Sequence, residues 1–356
     1  MMGVPGKEMD PATAAMIRRV QPGSFILFGR NIETPAQLRK LIDDLRDLSQ
    51  FEPVVTIDQE GGRVSRLKLL GNEPPNAQQL RDRGDQELIR RHGELTGKLL
   101  RTFGFNLDLC PVLDISFDDE ADNSLKGRCY GRTVEETITN AAVFNDALRA
   151  EGILTCGKHF PGYSSAGFDP HHELPVLDRS KEDMESTELA VFRAFAQRVD
   201  SMMIGHAVYT NLDDSGLPAS LSPTIITQLL RENMAFSGLI MTDDLDMGAI
   251  LNHYGFDDTM RLAVEAGNDV LMICHRVEMV EDGAKILDRL PSSTLDRAIE
   301  QVATWKTRLA APYRFDETAF RALDAEVWTL RVATLGEEMA SARSAEDGKR
   351  SPVELY

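Results

Sequence analysis

The chain has 356 residues, 42% hydrophobic and 27% charged, the make-up of a globular protein able to bury a sizeable core. Its 39 basic and 57 acidic side chains leave a net charge of −18, which argues against a nucleic-acid partner and against an anionic membrane surface. A locally basic pocket on such a surface can still take an anionic small substrate.

In chain order, short apolar runs of β-type residues alternate with longer amphipathic segments. Strands are expected at 24–28, 53–57, 106–109, 153–156, 202–204, 239–241 and 270–273, with a first one within 1–4. The helical patterns between them carry start signals. Thr34-Pro35 and Ser222-Pro223 each set a capping hydroxyl before a proline suited to the first turn. Strand alternating with helix implies a parallel sheet, and about eight such units is what a closed barrel requires. A doubly wound open sheet is the alternative, but no Gly-x-Gly-x-x-Gly opens any of the helices. The expected architecture is therefore α/β, a single (β/α)8 TIM-like barrel over residues 1–312. A helical, polar C-terminal extension over 313–356 follows, with 341–351 as a frayed or surface-laid end. The cysteines, Cys110, Cys129, Cys156 and Cys274, form no Cys-x-x-Cys pair and read as buried free thiols. With no charged-then-apolar leader and no run of membrane-spanning length, a reducing cytoplasm is the expected location.

Polar groups gather at the ends of these strands. In order they are Gly29-Arg30-Asn31, Asp58-Gln59-Glu60, Asp114, Gly157-Lys158-His159, Gly205-His206, Asp243-Asp244 and Cys274-His275. In a barrel these ends share one rim, so the groups would share one pocket suited to a polar, hydroxyl-rich ligand. The most informative run is 237–247, where an apolar strand runs straight into a carboxylate. That is a costly place for an unpaired charge, and Asp243 is the candidate nucleophile. Asp244 is expected to be structural, because consecutive strand residues face opposite ways. The longest loop, 158–175, holds His159, His171 and His172. Within it Asp169-Pro170-His171 sets a carboxylate two residues from an imidazole, close enough to fix its tautomer and raise its basicity. Taken alone, such a pair is more often a solvent-facing loop feature.

Four stretches taken together say more: Asp58-Gln-Glu-Gly-Gly-Arg-Val64, Lys158-His-Phe-Pro-Gly162, Asp169-x-His171-x-x-Leu174-Pro175 and Thr242-Asp243-x-Leu245-x-Met247. They resemble the signature set of the family 3 glycoside hydrolases, and more narrowly the single-domain β-N-acetylglucosaminidase branch, over about residues 3–309. The resemblance implies a retaining exo-acting enzyme that removes terminal non-reducing β-linked N-acetylglucosamine, with peptidoglycan-derived muropeptides as the expected substrates. It makes Asp243 the nucleophile, His171 the general acid/base and Asp169 the group that orients His171. Asp58, Arg66, Arg128, Lys158 and His159 match sugar-binding positions. His206 matches a strand-end histidine grouped with them, expected to support the site from behind. No metal or organic cofactor is implied; a small carbohydrate is the expected partner and a monomer the expected state.

Three positions depart from the family pattern. Tyr163-Ser164-Ser165 stands where His-Gly-Asp is usual, Pro170 replaces a serine, and Cys129 stands where serine is commoner. They bear on the second sugar and on how the loop closes, not on the nucleophile. Within the family the alternatives are a β-glycoside phosphorylase and a β-glucosidase. A metal-dependent barrel hydrolase using His159, His171, His172 and Asp243 leaves the other motifs unexplained, and a non-catalytic sugar-binding protein would need neither nucleophile nor acid/base.

Overall fold

Eight strands pair in parallel in chain order: β1 (Met2–Gly3), β2 (Ser24–Leu27), β3 (Val54–Ile57), β4 (Leu107–Asp108), β5 (Leu154–Phe160), β6 (Ser201–Ile204), β7 (Leu239–Asp244) and β8 (Val270–Met272). The ring closes where β1 meets the end of β8: Gly3 N–H donates to Ile273 O at 2.8 Å and Ile273 N–H to Met1 O at 3.0 Å. This is the expected barrel, not the open sheet. The computed structural model describes residues 1–121, 123–162, 164 and 174–342. Asp169 and His171, the expected acid/base pair, lie outside the described residues, as do Tyr163, Pro170, His172 and 343–356.

Period-two alternation along the strands divides the core in two. Ile26, Phe28, Leu107, Leu109, Cys156, Met203, Met241 and Met272 fill the barrel, with Trp305 among them donating its indole N–H to Asp200 O at 2.8 Å. Their neighbours Phe25, Leu27, Val55, Ile57, Met202, Ile204 and Ile240 face outward and pack with the surrounding helices. The caps form where the sequence signals them. Thr34 Oγ1 accepts the Gln37 N–H at 3.2 Å ahead of helix Pro35–Leu48, and Ser222 Oγ accepts the Ile225 N–H at 3.0 Å ahead of the π-helical segment Thr224–Asn233.

β5 and β7 run further than their apolar residues suggest. Lys158 N–H donates to Pro111 O at 3.2 Å and Leu113 N–H to Lys158 O at 2.6 Å, so the ladder continues through Gly157-Lys158-His159. Thr242 pairs with Ile204, which carries β7 past Met241. The key polar residues thus stand on strand ends, not in the loops after them. All four cysteines are buried and unpaired. Among the described residues no helix is long and apolar enough to cross a membrane.

After residue 312 a helix, Glu317–Leu335, buries Phe320, Val327 and Leu330 against helix Gln86–Phe103, with the Phe103 and Phe320 rings 5.2 Å apart.

Candidate active site

The C-terminal ends of the strands surround a cavity of about 360 Å³ whose lining includes Asp58, Arg66, Arg128, Lys158, His159 and Asp243. β3 delivers Asp58, and the chain then folds back as a short antiparallel ribbon, Gln59–Gly61 against Val64–Ser65. Its turn places Gly61 at φ 107° and Gly62 at φ 56°, a region that disfavours any residue with a Cβ. The return strand leads directly into Arg66, so one tight turn brings Asp58, Glu60 and Arg66 to the same rim.

Charges on the β3–β5 side are matched in advance. Lys158 Nζ lies 2.6 Å from Asp58 Oδ1 and 2.7 Å from Glu60 Oε1. Arg128 grips Glu60 with two bonds, Nε to Oε2 and Nη2 to Oε1, both 2.7 Å. Burial works against the Lys158 ammonium, but Asp58 and Glu60 outweigh it and hold the group charged, above its usual range. Burial likewise works against the Glu60 carboxylate, and Arg128 and Lys158 outweigh it, so Glu60 stays ionised well below the ordinary carboxylate range. Arg66 reaches to 3.8 Å from Asp58 Oδ2 and lies over the Phe28 ring, 6.0 Å from its centroid. His159 is joined to Lys158 by a cis peptide bond, and its Nδ1 is 2.8 Å from Asp114 Oδ2. An ionised carboxylate only accepts, so Nδ1 carries the proton and Nε2 of the neutral ring is an acceptor. Donation from Nε2 to a sugar hydroxyl therefore requires the protonated ring.

On the other side, Asp243 lines the cavity and its Oδ1 accepts the Asp244 N–H at 2.8 Å. Asp244 lines it too, against the expectation from strand alternation: the pairing with β8 shifts register between Met241 and Asp244, which turns both carboxylates inward. Asp244 is nonetheless anchored. Its Oδ1 accepts the N–H groups of Cys274 at 3.0 Å and Asp246 at 3.2 Å. Burial first, then the neighbouring Asp246, raise its pKa well above the ordinary carboxylate range. His206 does not line the cavity. It is buried behind it, with Nε2 2.9 Å from Asp244 O and Nδ1 2.7 Å from Ser220 Oγ. It therefore supports the strand that bears Asp243 and makes no direct contact with the cavity.

Some contributors carry no role in the sequence reading. Asp246 Oδ2 accepts the N–H groups of His275 at 2.8 Å and Arg276 at 2.7 Å, which fixes the chain as it leaves β8. Arg30 Nη1 lies 2.9 Å from His275 Nδ1. A guanidinium only donates, so His275 keeps its proton on Nε2, which faces Asp244 Oδ2 at 3.5 Å. Glu60, Asp114 and His275 were visible as polar strand-end residues. Their pairings were not, because the partners lie 68, 45 and 245 residues away in the chain. A carboxylate on a strand end, facing a rigid set of donors and acceptors, is equipped to attack a carbon centre in a polyhydroxylated ligand.

Comparison with known proteins agrees with this geometry. The glycosyl hydrolase family 3 N-terminal domain matches residues 1–305. A β-hexosaminidase of Tolumonas auensis is 32% identical over 330 residues, covering 90% of this chain and 96% of the relative. The glycoside hydrolase family 3 β-N-acetylglucosaminidase of Paenibacillus sp. superposes with a TM-score of 0.86 at 30% identity, over 94% of this chain and 67% of that one. NagZ of Neisseria gonorrhoeae, solved in complex with N-trifluoroacetyl-D-glucosamine, superposes with a TM-score of 0.80 at 26% identity, over 93% and 96%.

Proposed function

The chain belongs to glycosyl hydrolase family 3 and is a glycoside hydrolase, and from that premise we propose that it is a retaining exo-β-N-acetylglucosaminidase. The observation that carries this reading is Asp243, a carboxylate at the end of β7 on the wall of a cavity whose far side presents Asp58, Lys158 and Arg128. Protonated His171 donates to the glycosidic oxygen while Asp243 attacks the anomeric carbon, giving a covalent glycosyl-enzyme. Neutral His171 then takes a proton from the water that displaces Asp243, with net retention. Asp169 orients the imidazole. The roles of His171 and Asp169 come from the motif match alone.

Asp58 accepts from two vicinal hydroxyls, Lys158 donates to a third, and Arg66 and Arg128 face the acetamido end of the sugar. These groups already hold one another in place, so little reorganisation remains at the moment of reaction. The relatives named for hexosamine release support N-acetylglucosamine as the glycone. The resemblance to the single-domain branch supports peptidoglycan-derived muropeptides as substrates, and the four unpaired cysteines suit a reducing cytoplasm.

Asp243→Ala should lower kcat/KM on 4-nitrophenyl β-N-acetylglucosaminide by about 10⁴-fold or more, with unchanged thermal unfolding. Near-normal turnover by that variant would sink the assignment. NMR of the first product formed should show the β-anomer, and a sugar 1-phosphate formed only with phosphate present would point to phosphorolysis instead.

A further inference from the structure

Beyond the nucleophile, the cavity wall carries Arg276, one residue past His275 at the end of β8. Its side chain is exposed, and its guanidinium makes no hydrogen bond or ion pair with any residue of the chain that the structure describes. The other lining cations are engaged: Lys158 by Asp58 and Glu60, Arg128 by Glu60, and Arg66 near Asp58. Two carboxylates that share the cavity wall with it, Asp246 and Asp244, are engaged elsewhere. Asp246 Oδ2 is taken by two backbone N–H groups, and Asp244 holds the Cys274 and Asp246 N–H groups on Oδ1. Those same bonds pin the Arg276 backbone, so the side chain starts from a fixed point. Net charge is −18, and an arginine on the cavity wall with no carboxylate partner among the described residues stands out against that surplus.

Its position along the cavity indicates what it faces. The groups suited to sugar hydroxyls sit at the ends of β3 to β5, Asp243 stands on β7, and Arg276 follows β8. A sugar held by Asp58 and Lys158, with its anomeric carbon at Asp243, leaves the β8 side to whatever is attached to that carbon. We propose that Arg276 determines specificity by receiving a carboxylate on the aglycone, so that substrates with an anionic leaving group are preferred over neutral ones. The inference rests on the glycosidase reading above. A guanidinium matches a carboxylate with two parallel N–H bonds, a geometry lysine cannot reproduce.

The test compares kcat/KM for 4-nitrophenyl β-N-acetylglucosaminide with that for the same aryl glycoside bearing a carboxylate on its ring. It is run in the wild type, Arg276→Ala and Arg276→Lys. Taking the carboxylate-to-neutral ratio, and comparing it between proteins, cancels the difference in leaving-group acidity. The ratio should fall about tenfold in Arg276→Ala and by less in Arg276→Lys, the modest size reflecting an exposed pair. Raising salt to about 0.5 M should lower the wild-type ratio and leave that of Arg276→Ala unchanged. Both variants should unfold thermally as the wild type does. An unchanged ratio in an active Arg276→Ala enzyme overturns the proposal and leaves the glycosidase reading standing. So does a variant whose only defect is lost stimulation by inorganic phosphate, since the cation would then serve phosphate. A wild type that cleaves neither glycoside overturns the glycosidase reading, and this inference with it.

Discussion

Residue by residue, the site separates groups that are matched from groups that are pushed toward the neutral form. Lys158, Asp58, Glu60 and Arg128 form a closed set of opposite charges, whereas Asp244 and Asp108 are pushed toward protonation, Asp108 to about 8, with burial the main cause in both. His92 extends the second group behind the site. It is buried on helix Gln86–Phe103 beneath Gly61, its ring is 5.1 Å from that of Phe144, and neither ring nitrogen has a hydrogen-bond partner among the described residues. Burial alone lowers its pKa from 6.5 to about 4. The unfolded chain therefore takes up a proton at a higher pH than the folded chain does. Stability from neutral His92 is fully present above about pH 6.5 and is lost as pH falls toward about 4, a loss of roughly 3 kcal/mol. His92→Phe removes the titration and leaves no nitrogen unsatisfied. Urea unfolding between pH 7 and about 4.5 should fall less steeply for the variant than for the wild type. Parallel profiles would show that His92 is not responsible.

Among the elements, helices Gln86–Phe103 and Val134–Ala150 lie close because glycines face the contact. A Cβ on Gly93 would come within 2.5 Å of Phe144 O, and one on Gly97 within 2.6 Å of Glu151 Cβ. Alanine in a helix interior ordinarily gains about 1 kcal/mol over glycine. At Gly93 the clash is with backbone and cannot be relieved by a rotamer. Gly93→Ala should therefore destabilise the protein by about 1–3 kcal/mol, read as a lower denaturant midpoint at unchanged m-value. A stabilised variant would mean the two helices can move apart. The approach of these helices was not legible in the sequence, because a glycine's meaning depends on what packs against it. Thr34-Pro35 was legible, since a cap needs only its own next turn. The strand ends were legible as the home of the site for a topological reason: a parallel barrel gives all of them one rim. Asp243, Asp58 and Lys158 were placed on that basis. Where β5 and β7 stop was misjudged, because the ladder at Lys158 depends on Pro111 and Leu113 of another strand's loop, while apolar content ends sooner. The inward turn of Asp244 was missed for a similar reason, as a register shift against β8 leaves no mark in β7's own sequence.

At the scale of the whole molecule, the C-terminal extension reaches back to the site's first loop. The chain leaving β3 carries Asp58, Glu60 and Arg66, and a few residues later Asn72 and Glu73 meet helix Glu317–Leu335. Asn72 N–H donates to Asp324 Oδ1 at 2.6 Å, and its side-chain amide donates to Asp324 O and Oδ2 at 3.0 and 2.9 Å. Arg331 is buried, with Nη1 donating to Glu73 O at 2.9 Å and to Glu73 Oε1 at 3.0 Å, and Nε donating to Ala340 O at 2.8 Å. Helix Glu317–Leu335 therefore clamps the loop from outside while the barrel holds it from within. Arg331→Met removes the clamp's charge and leaves Glu73 buried, with Lys68 at 3.7 Å as a distant counter-charge. Breaking a buried pair from one side costs about 3 kcal/mol or more. Because the loop also bears Asp58 and Arg66, the loss should reach the substrate. At a temperature where the variant remains folded, KM for an aryl β-N-acetylglucosaminide should rise several-fold, while kcat, which the proposed mechanism assigns to Asp243 on β7, changes less. A chain ending at residue 312 should show both defects more strongly. If it instead melts and turns over like the full-length protein, the extension is an appendage and the loop is held by the barrel alone.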